Sequence, residues 1–120
     1  MTKRFLLMTL ILVISTALIA CGKKYDKEIE EVSKLENTQI QKAKLSDANK
    51  FERDKSNIAV YEDGKVIILT YHFVKGSDSL TQSFYRKNET TNKYEEQSSE
   101  KPKKFMKENK PDYKEENLKE

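Results

Sequence analysis

Two residue types with reactive side chains occur once each in this chain, as Cys21 and His72. A zinc site needs several Cys, His or carboxylate ligands together, and a Cys/His pair needs a thiol beside an imidazole. Strand alternation puts His72 on the outer face of a predicted sheet, without the glycine-rich turn that accompanies a serine nucleophile. Adjacent acids such as Glu30 and Glu31 point apart on a helix and form no acid/base pair. The sequence therefore predicts no catalytic residues, no metal site, no cofactor and a non-enzymatic role.

The residues before Cys21 indicate what its thiol is used for. Lys3 and Arg4 form a short basic start, and residues 5–20 are almost wholly hydrophobic, ending at Ala20. A basic start, an apolar middle and a small residue at the cleavage point are typical of a secretory signal peptide. The apolar run is shorter than a membrane-spanning helix requires, and a very polar chain follows it. We therefore predict a signal peptide over residues 1–20.

The stretch Leu18-Ile19-Ala20-Cys21 resembles the lipobox of bacterial lipoproteins. The resemblance implies a diacylglyceryl group, of the palmitate class, on the Cys21 thiol and cleavage between Ala20 and Cys21. It also implies a lipid-anchored protein of the cell envelope, on the extracellular side of the cell membrane, with that membrane as its partner. The alternative that the residues leave open is an ordinary secreted protein with a chance cysteine.

The length of the mature chain, residues 21–120, limits it to one domain. Loss of Lys3 and Arg4 lowers the net charge from +3 to +1, and basic residues alternate with acids, so no nucleic-acid partner is expected. Residues 21–24 form the lipidated anchor and a short tether, in which three residues after Cys21 span roughly 10 Å. We therefore expect the domain to lie against the membrane.

The elements of the domain, residues 25–97, follow from periodicity and turn residues. Apolar residues with a period near 3.6 predict an amphipathic helix over about Lys27 to Leu45, preceded by Asp26 as its N-cap. Asp63-Gly64 between β-branched runs predicts a hairpin that pairs Tyr61 with Val66. A second turn over residues 76–79 predicts a third strand over 80–86, and a weaker fourth strand runs over 93–97. The predicted fold class is α+β, with one N-terminal helix packed on a three- to four-stranded antiparallel sheet.

This order of elements resembles the cystatin-like fold. The stretches Cys21 to Ile29 and Ile58 to Lys65 resemble small cystatin-like lipoproteins of Gram-positive bacteria, a family of uncharacterised function. The resemblance covers about residues 1–97. Eukaryotic cystatins inhibit cysteine proteases through a Gln-x-Val-x-Gly hairpin and a Trp-bearing loop. Neither feature is present here, so the resemblance does not imply protease inhibition.

One helix covers only one face of a sheet, so the other face is expected to be exposed. Closing the second turn symmetrically sets Tyr71 opposite Phe84 and defines a candidate interaction face: Tyr61, Val66, Ile68, Val74 and Tyr85. We expect a homodimer or a second envelope protein to dock on it, the alternative being that the chain's own loops or tail cover it.

Residues 98–120 are charged, poor in large apolar groups and interrupted by two prolines, which predicts a disordered tail. Removing this tail is expected to leave the fold and its melting temperature nearly unchanged.

The leading prediction is a membrane-anchored, non-enzymatic interaction module that acts close to the outer face of the cytoplasmic membrane. One alternative is a small-ligand carrier or enzyme that uses a pocket between helix and sheet. Only Tyr71, Gln82 and Tyr25 would supply polar groups to such a pocket. The other alternative is a pheromone peptide derived from the signal peptide, Val13 to Ala20.

Overall fold

The computed structural model describes residues 24–118. The predicted signal peptide, the pheromone segment and Cys21 lie outside the described residues. Two helices, α1 (Asp26–Ala43) and α2 (Pro102–Glu108), pack on opposite faces of one antiparallel sheet. The strands are β1 (Asn57–Tyr61), β2 (Val66–Tyr71), β3 (Thr81–Asn88), β4 (Lys93–Glu96) and β5 (Tyr113–Glu116), in the order β4-β3-β2-β1-β5. The α+β class is confirmed, with one strand more than predicted. Between residues 24 and 118 no helix is long and apolar enough to cross a membrane.

Helix α1 agrees with the predicted amphipathic helix to within two residues at either end. Ile29 and Val32 are fully buried against the inner face of the sheet, the face that α1 covers. The helix ends at Ala43, and the C-cap residue Lys44 has a left-handed backbone (φ 52°) and donates its N–H to the Gln41 carbonyl. Asp26 is the first helical residue rather than the N-cap, and its carboxylate lies 2.7 Å from the Arg53 guanidinium.

The β1–β2 register is the predicted one, with Tyr61 opposite Val66 and Ile58 opposite Leu69. Asp63 and Gly64 are the two central residues of the loop, as predicted, and the Lys65 N–H closes the turn by donating to the Glu62 carbonyl at 3.2 Å. Glu62, Asp63 and Gly64 all have positive φ, and a Cβ on Gly64 would lie 3.4 Å from the Tyr25 ring. All six residues of β2 are buried, because the strand is central and has a helix on each side.

The predicted register between β2 and β3 is wrong. Tyr71 pairs with Thr81 rather than with Phe84, a shift of three residues. Because side chains alternate between the faces of a strand, an odd shift exchanges the two faces of β3. The reason lies in the connection: Val74 bridges to Ala48, so the chain after β2 pairs with the segment after α1 before it turns back.

The prediction of a disordered tail is wrong for the segment from α2 to β5. Strand β5 pairs with β1 at the edge of the sheet, with Tyr113 opposite Val60. The Arg53 Nε–H is shared between the two oxygens of the Glu115 carboxylate, at 3.0 and 3.2 Å, and Nη2 of Arg53 also donates to Oε2. Arg53 lowers the pKa of Glu115 as a result. The folded domain therefore extends past residue 97 and includes both C-terminal elements.

Helix α2 covers the outer face of the sheet, which was predicted to be the interaction face. The Phe105 ring packs edge-on against Tyr61 and Phe84, with centroid distances of 5.0 and 5.1 Å. Val66 and Ile68 are buried in the same cluster, to which Met106 also contributes.

Four of the five candidate residues are consequently inaccessible, so the prediction of an exposed interaction face is wrong for them. Tyr61, Val66 and Ile68 lie beneath α2, and the register shift moves Tyr85 to the inner face, where it is fully buried. Val74 stays 40% exposed, at the bridge to Ala48. The alternative that the tail covers this face is correct.

Candidate functional site

Glu36 is the most unusual residue of the inner face. At 100° per residue it lies in the middle of the apolar stripe of α1, on the same side as Ile29 and Val32. Only 5% of its surface is exposed. Burial of a carboxylate is strongly unfavourable unless the group is hydrogen-bonded or paired, so its neighbours must supply donors.

Three hydroxyl groups on the sheet supply those donors. The Tyr71 hydroxyl on β2 donates to Oε2 of Glu36, as does Ser83 on β3 at 2.9 Å. Tyr85 on β3 donates to Oε1 at 2.6 Å. The three residues lie on the inner face because strand alternation and the β2–β3 register bring odd-numbered positions to that side. The β2–β3 register, which we predicted incorrectly from the sequence, therefore brings these three hydroxyl groups together around Glu36.

The electrostatics of this cluster keep the tyrosines protonated. Burial, and then the hydrogen bond to Glu36, raises the pKa of both Tyr71 and Tyr85. Their hydroxyls are therefore donors at neutral pH. Glu96 is the β4 partner of Tyr85, and burial and the negative charge of Glu36 raise its pKa.

A cleft of about 530 Å³ opens above Glu36. Its walls come from the second half of α1, the end of β2, the start of β3 and the segment from Glu96 to Pro102. Ile40, Tyr71 and Phe73 form an apolar side, with the Tyr71 and Phe73 rings edge-to-face at 6.4 Å. Glu36, Glu96 and Glu100 are the charged residues of the lining. An apolar wall with a few convergent polar groups is the usual form of a ligand site.

Two of the three polar residues predicted for a pocket between helix and sheet, Tyr71 and Gln82, line this cleft. Tyr25 lies at the other end of the domain, where its hydroxyl donates to Asp63 at 2.9 Å. Glu36 was not predicted, although its place in the apolar stripe of the helix was visible in the sequence. His72 is half-buried, with Nδ1 3.2 Å from the Ser79 carbonyl.

The cleft and the start of the domain lie at opposite ends of α1. Lys24 is 3.8 Å from Asp63 in the β1–β2 loop, at the end of the sheet where the helix begins. With a rise of about 1.5 Å per residue, Glu36 is roughly 15 Å further along the helix axis than Asp26. In the part of the chain that the structure describes, no three Cys, His, Asp or Glu side chains are grouped to hold a metal ion.

Comparison with known proteins gives a family and a structural relative. A family described as "Domain of unknown function with cystatin-like fold (DUF4467)" matches residues 25–117. The crystal structure at 1.35 Å resolution of a DUF4467 family protein from Staphylococcus aureus subsp. aureus Mu50 is similar. The two chains are 30% identical, with a TM-score of 0.73, and the match covers 79% of this chain and 99% of the other. No curated protein matches this chain. The resemblance to an uncharacterised cystatin-like family is confirmed.

Proposed function

The chain belongs to the DUF4467 family, and from that premise we propose that it is a membrane-anchored, non-enzymatic binding domain on the extracellular side of the cell membrane. In this proposal Cys21 carries the lipid and the cleft above Glu36 is the binding site. The outer face of the sheet is not the site, because α2 covers it.

The position of the cleft relative to the tether is the observation that carries the proposal. Three residues separate Cys21 from Tyr25, and Lys24 and Tyr25 both contact the Asp63 loop. A lipid on Cys21 would therefore hold that end of the domain against the membrane. The cleft at the other end would then face away from the bilayer, where partners in the envelope can reach it.

The hydrogen bonds at the floor of the cleft favour binding over catalysis. The hydroxyls of Tyr71, Ser83 and Tyr85 all donate to Glu36, which fixes the orientation of the carboxylate. A site held rigid by its own hydrogen bonds is pre-organised for a ligand. Both tyrosines are protonated at neutral pH, because the pKa of each is raised. Neither can therefore act as a general base.

Replacing Cys21 tests the anchor. Cys21→Ala should abolish labelling by radioactive palmitate and move the protein from the membrane fraction, because two acyl chains hold a protein on a bilayer stably. Ser99→Ala, an exposed change in the folded domain, is the matched control and should label normally. Undiminished labelling of Cys21→Ala would end the lipoprotein proposal.

Filling the cleft tests the binding site. Ala43 lines the cleft near the end of α1, so Ala43→Trp should occupy it and remove the cross-linked products that the wild type forms on intact cells. Lys42→Trp places the same side chain on an exposed neighbouring position outside the lining and should leave those products unchanged. Identical cross-linking by all three proteins would exclude the cleft as the binding site.

A further inference from the structure

We infer that the domain docks with its outer side on an anionic phospholipid surface, through a basic face formed by α2 and its flanking residues. The basic face consists of five lysines: Lys101, Lys103, Lys104, Lys107 and Lys110. The inference rests on the proposed function, because it takes the lipid on Cys21 as given and adds which side of the domain lies on the membrane. It is supported by the separation of charge in the domain, the lack of counter-ions at the basic face and the continuity of this face with the tether.

Charge is separated between the two sides of the sheet, although the mature chain is nearly neutral. Residues 101–110, which include α2, contain five lysines and one glutamate, a net charge of +4. Helix α1, on the inner side, contains five acids and three lysines, a net charge of −2. An anionic surface therefore attracts the outer side of the domain and repels the inner side.

The lysines of the basic face have no counter-ions within the domain. All five are exposed, and none forms a salt bridge with a residue between 24 and 118. The neighbouring cations are paired instead: Arg86 lies 3.5 Å from Glu62, and Lys114 lies 3.0 Å from Glu116. Since only Glu108 interrupts the lysines in sequence, the basic face keeps an unmatched positive charge for a partner.

Helix α2 turns its lysines outward because the sheet holds its apolar residues. Phe105 and Met106 pack on the apolar cluster of the outer face. At 100° per residue, Lys104 and Lys107 lie about 150° from the direction midway between those two side chains, so they point away from the sheet. The apolar side of this basic helix is already covered, so its attraction to a membrane is electrostatic and sensitive to salt.

The basic face extends from the cleft end of the domain to the tether. Pro102, in the first turn of α2, lines the cleft. At the other end Asp112, two residues after Lys110, accepts a hydrogen bond from the Asp63 N–H at 2.8 Å. Lys24 lies beside the same loop, 3.8 Å from the Asp63 carboxylate. A lipid on Cys21 would therefore keep the basic face near the headgroups, where attraction acts over about 8 Å at physiological salt.

Docking on the outer side also orients the cleft. The cleft lies between α1 and the sheet, on the inner side, so a domain that rests on α2 turns it away from the bilayer. The bilayer is the anionic surface that the tether keeps permanently within reach. We therefore assign the basic face to phospholipid headgroups rather than to a soluble polyanion.

Lysine footprinting on vesicles tests the docking. The purified lipidated chain is inserted into preformed vesicles, made either of phosphatidylglycerol and phosphatidylcholine in equal parts or of phosphatidylcholine alone. An uncharged amine-reactive reagent acylates the lysines, and mass spectrometry gives the rate at each position. Lys104 and Lys107 should react at least roughly threefold more slowly on the anionic vesicles, whereas the exposed Lys34 and Lys42 of α1 should react at unchanged rates. Raising the salt concentration should remove the protection.

Matched double variants separate the basic face from net charge. Lys104→Gln with Lys107→Gln should at least halve the protection of the remaining lysines of the basic face on anionic vesicles. Lys34→Gln with Lys42→Gln removes the same charge from α1 and should leave that protection unchanged. All four positions are exposed, so both variants should melt at the wild-type temperature. An equal loss of protection in the two variants would overturn the inference, because it would show a general charge effect.

The remaining outcomes separate the docking from the proposed function. Equal acylation of Lys104 on both kinds of vesicle, with the chain still bound to them, would overturn the docking and leave the anchor intact. Equal protection of Lys34 and Lys104 would also overturn it, because the domain would then have no preferred side. Protection of Lys104 by soluble polyphosphate, but not by phosphatidylglycerol, would overturn it in favour of a soluble polyanion. The anchor and the cleft are tested independently, by palmitate labelling of Cys21→Ala and by cross-linking of Ala43→Trp.

Discussion

The two faces of this sheet are buried by helices of very different length and with different chemistry. The inner face packs on α1, which has 18 residues, and its core contains a carboxylate, two tyrosine hydroxyls and an open cleft. The outer face packs on α2, which has seven residues and contributes only Phe105 and Met106 to an apolar cluster.

This difference indicates a division of roles. A buried polar cluster whose hydrogen bonds are all made holds its side chains in one arrangement, whereas a close-packed apolar cluster contributes stability through burial. In the proposed function the inner face, which also holds the larger apolar core, carries the groups for recognition, and the outer-face cluster serves stability alone. The following experiments test that division.

Removal of the C-terminal segment should have the largest effect. A chain ending at Gln97 lacks α2 and β5, so the outer-face cluster and the β1 edge become exposed. We expect loss of cooperative thermal unfolding, or a melting temperature lower by more than roughly 15 °C, measured by circular dichroism. Deleting only residues 119–120 is the control. An unchanged melting temperature would show that the outer face needs no cover.

Truncation of the Phe105 side chain should have an intermediate effect. Phe105→Ala removes the ring that packs on Tyr61 and Phe84, and should lower the free energy of unfolding by about 2 kcal/mol in urea titrations. Lys104→Ala, on the exposed side of the same helix, should stay within about 0.5 kcal/mol of the wild type. Equal free energies of unfolding for the two variants would show that the Phe105 ring does not stabilise the domain.

Neutralising Glu96 should have the smallest effect, and one that depends on pH. The folded pKa of Glu96 is raised above the ordinary 4.5, so the wild type loses stability as the pH rises from there through the folded value. Glu96→Gln lacks this loss. It should match the wild type at low pH and be more stable at pH 7, by less than about 0.5 kcal/mol, because the residue as a whole is exposed and solvent screens its partly buried carboxylate.

The control for this pH effect is Glu108→Gln, an exposed change outside the cleft. Its stability should follow the wild type at every pH. A Glu96→Gln variant less stable than the wild type at pH 7 would contradict repulsion between Glu96 and Glu36.

Local signals in the sequence were sufficient for α1 and for the first hairpin. The Asp63-Gly64 pair fixes the β1–β2 register because the loop is short. The β2–β3 register could not be predicted in the same way, since nine residues link those strands and some of them pair with the segment after α1. That register decides which face Tyr85 occupies, and the candidate site depends on it.

The C-terminal cover and the buried glutamate were missed for different reasons. Phe105 and Met106 stand alone in a charged segment, so local composition gives no sign that two side chains complete a cluster formed elsewhere in the chain. The sequence did contain a signal for Glu36, because a carboxylate there interrupts the apolar stripe of α1. The helix has many other acidic residues, however, so this one did not stand out. The hydroxyl groups that donate to the Glu36 carboxylate lie on β2 and β3, far from α1 in the sequence.

The pairing of the last strand with the first has a consequence for biosynthesis. Strand β5 joins Tyr113–Glu116 to β1, so the sheet cannot be completed until residue 116 has left the ribosome. Until then the outer side of the Val- and Ile-rich β2 is uncovered, and such strands are prone to aggregation. Contacts this distant along the chain also slow folding. We therefore expect a chain that lacks α2 and β5 to aggregate more readily than the complete domain.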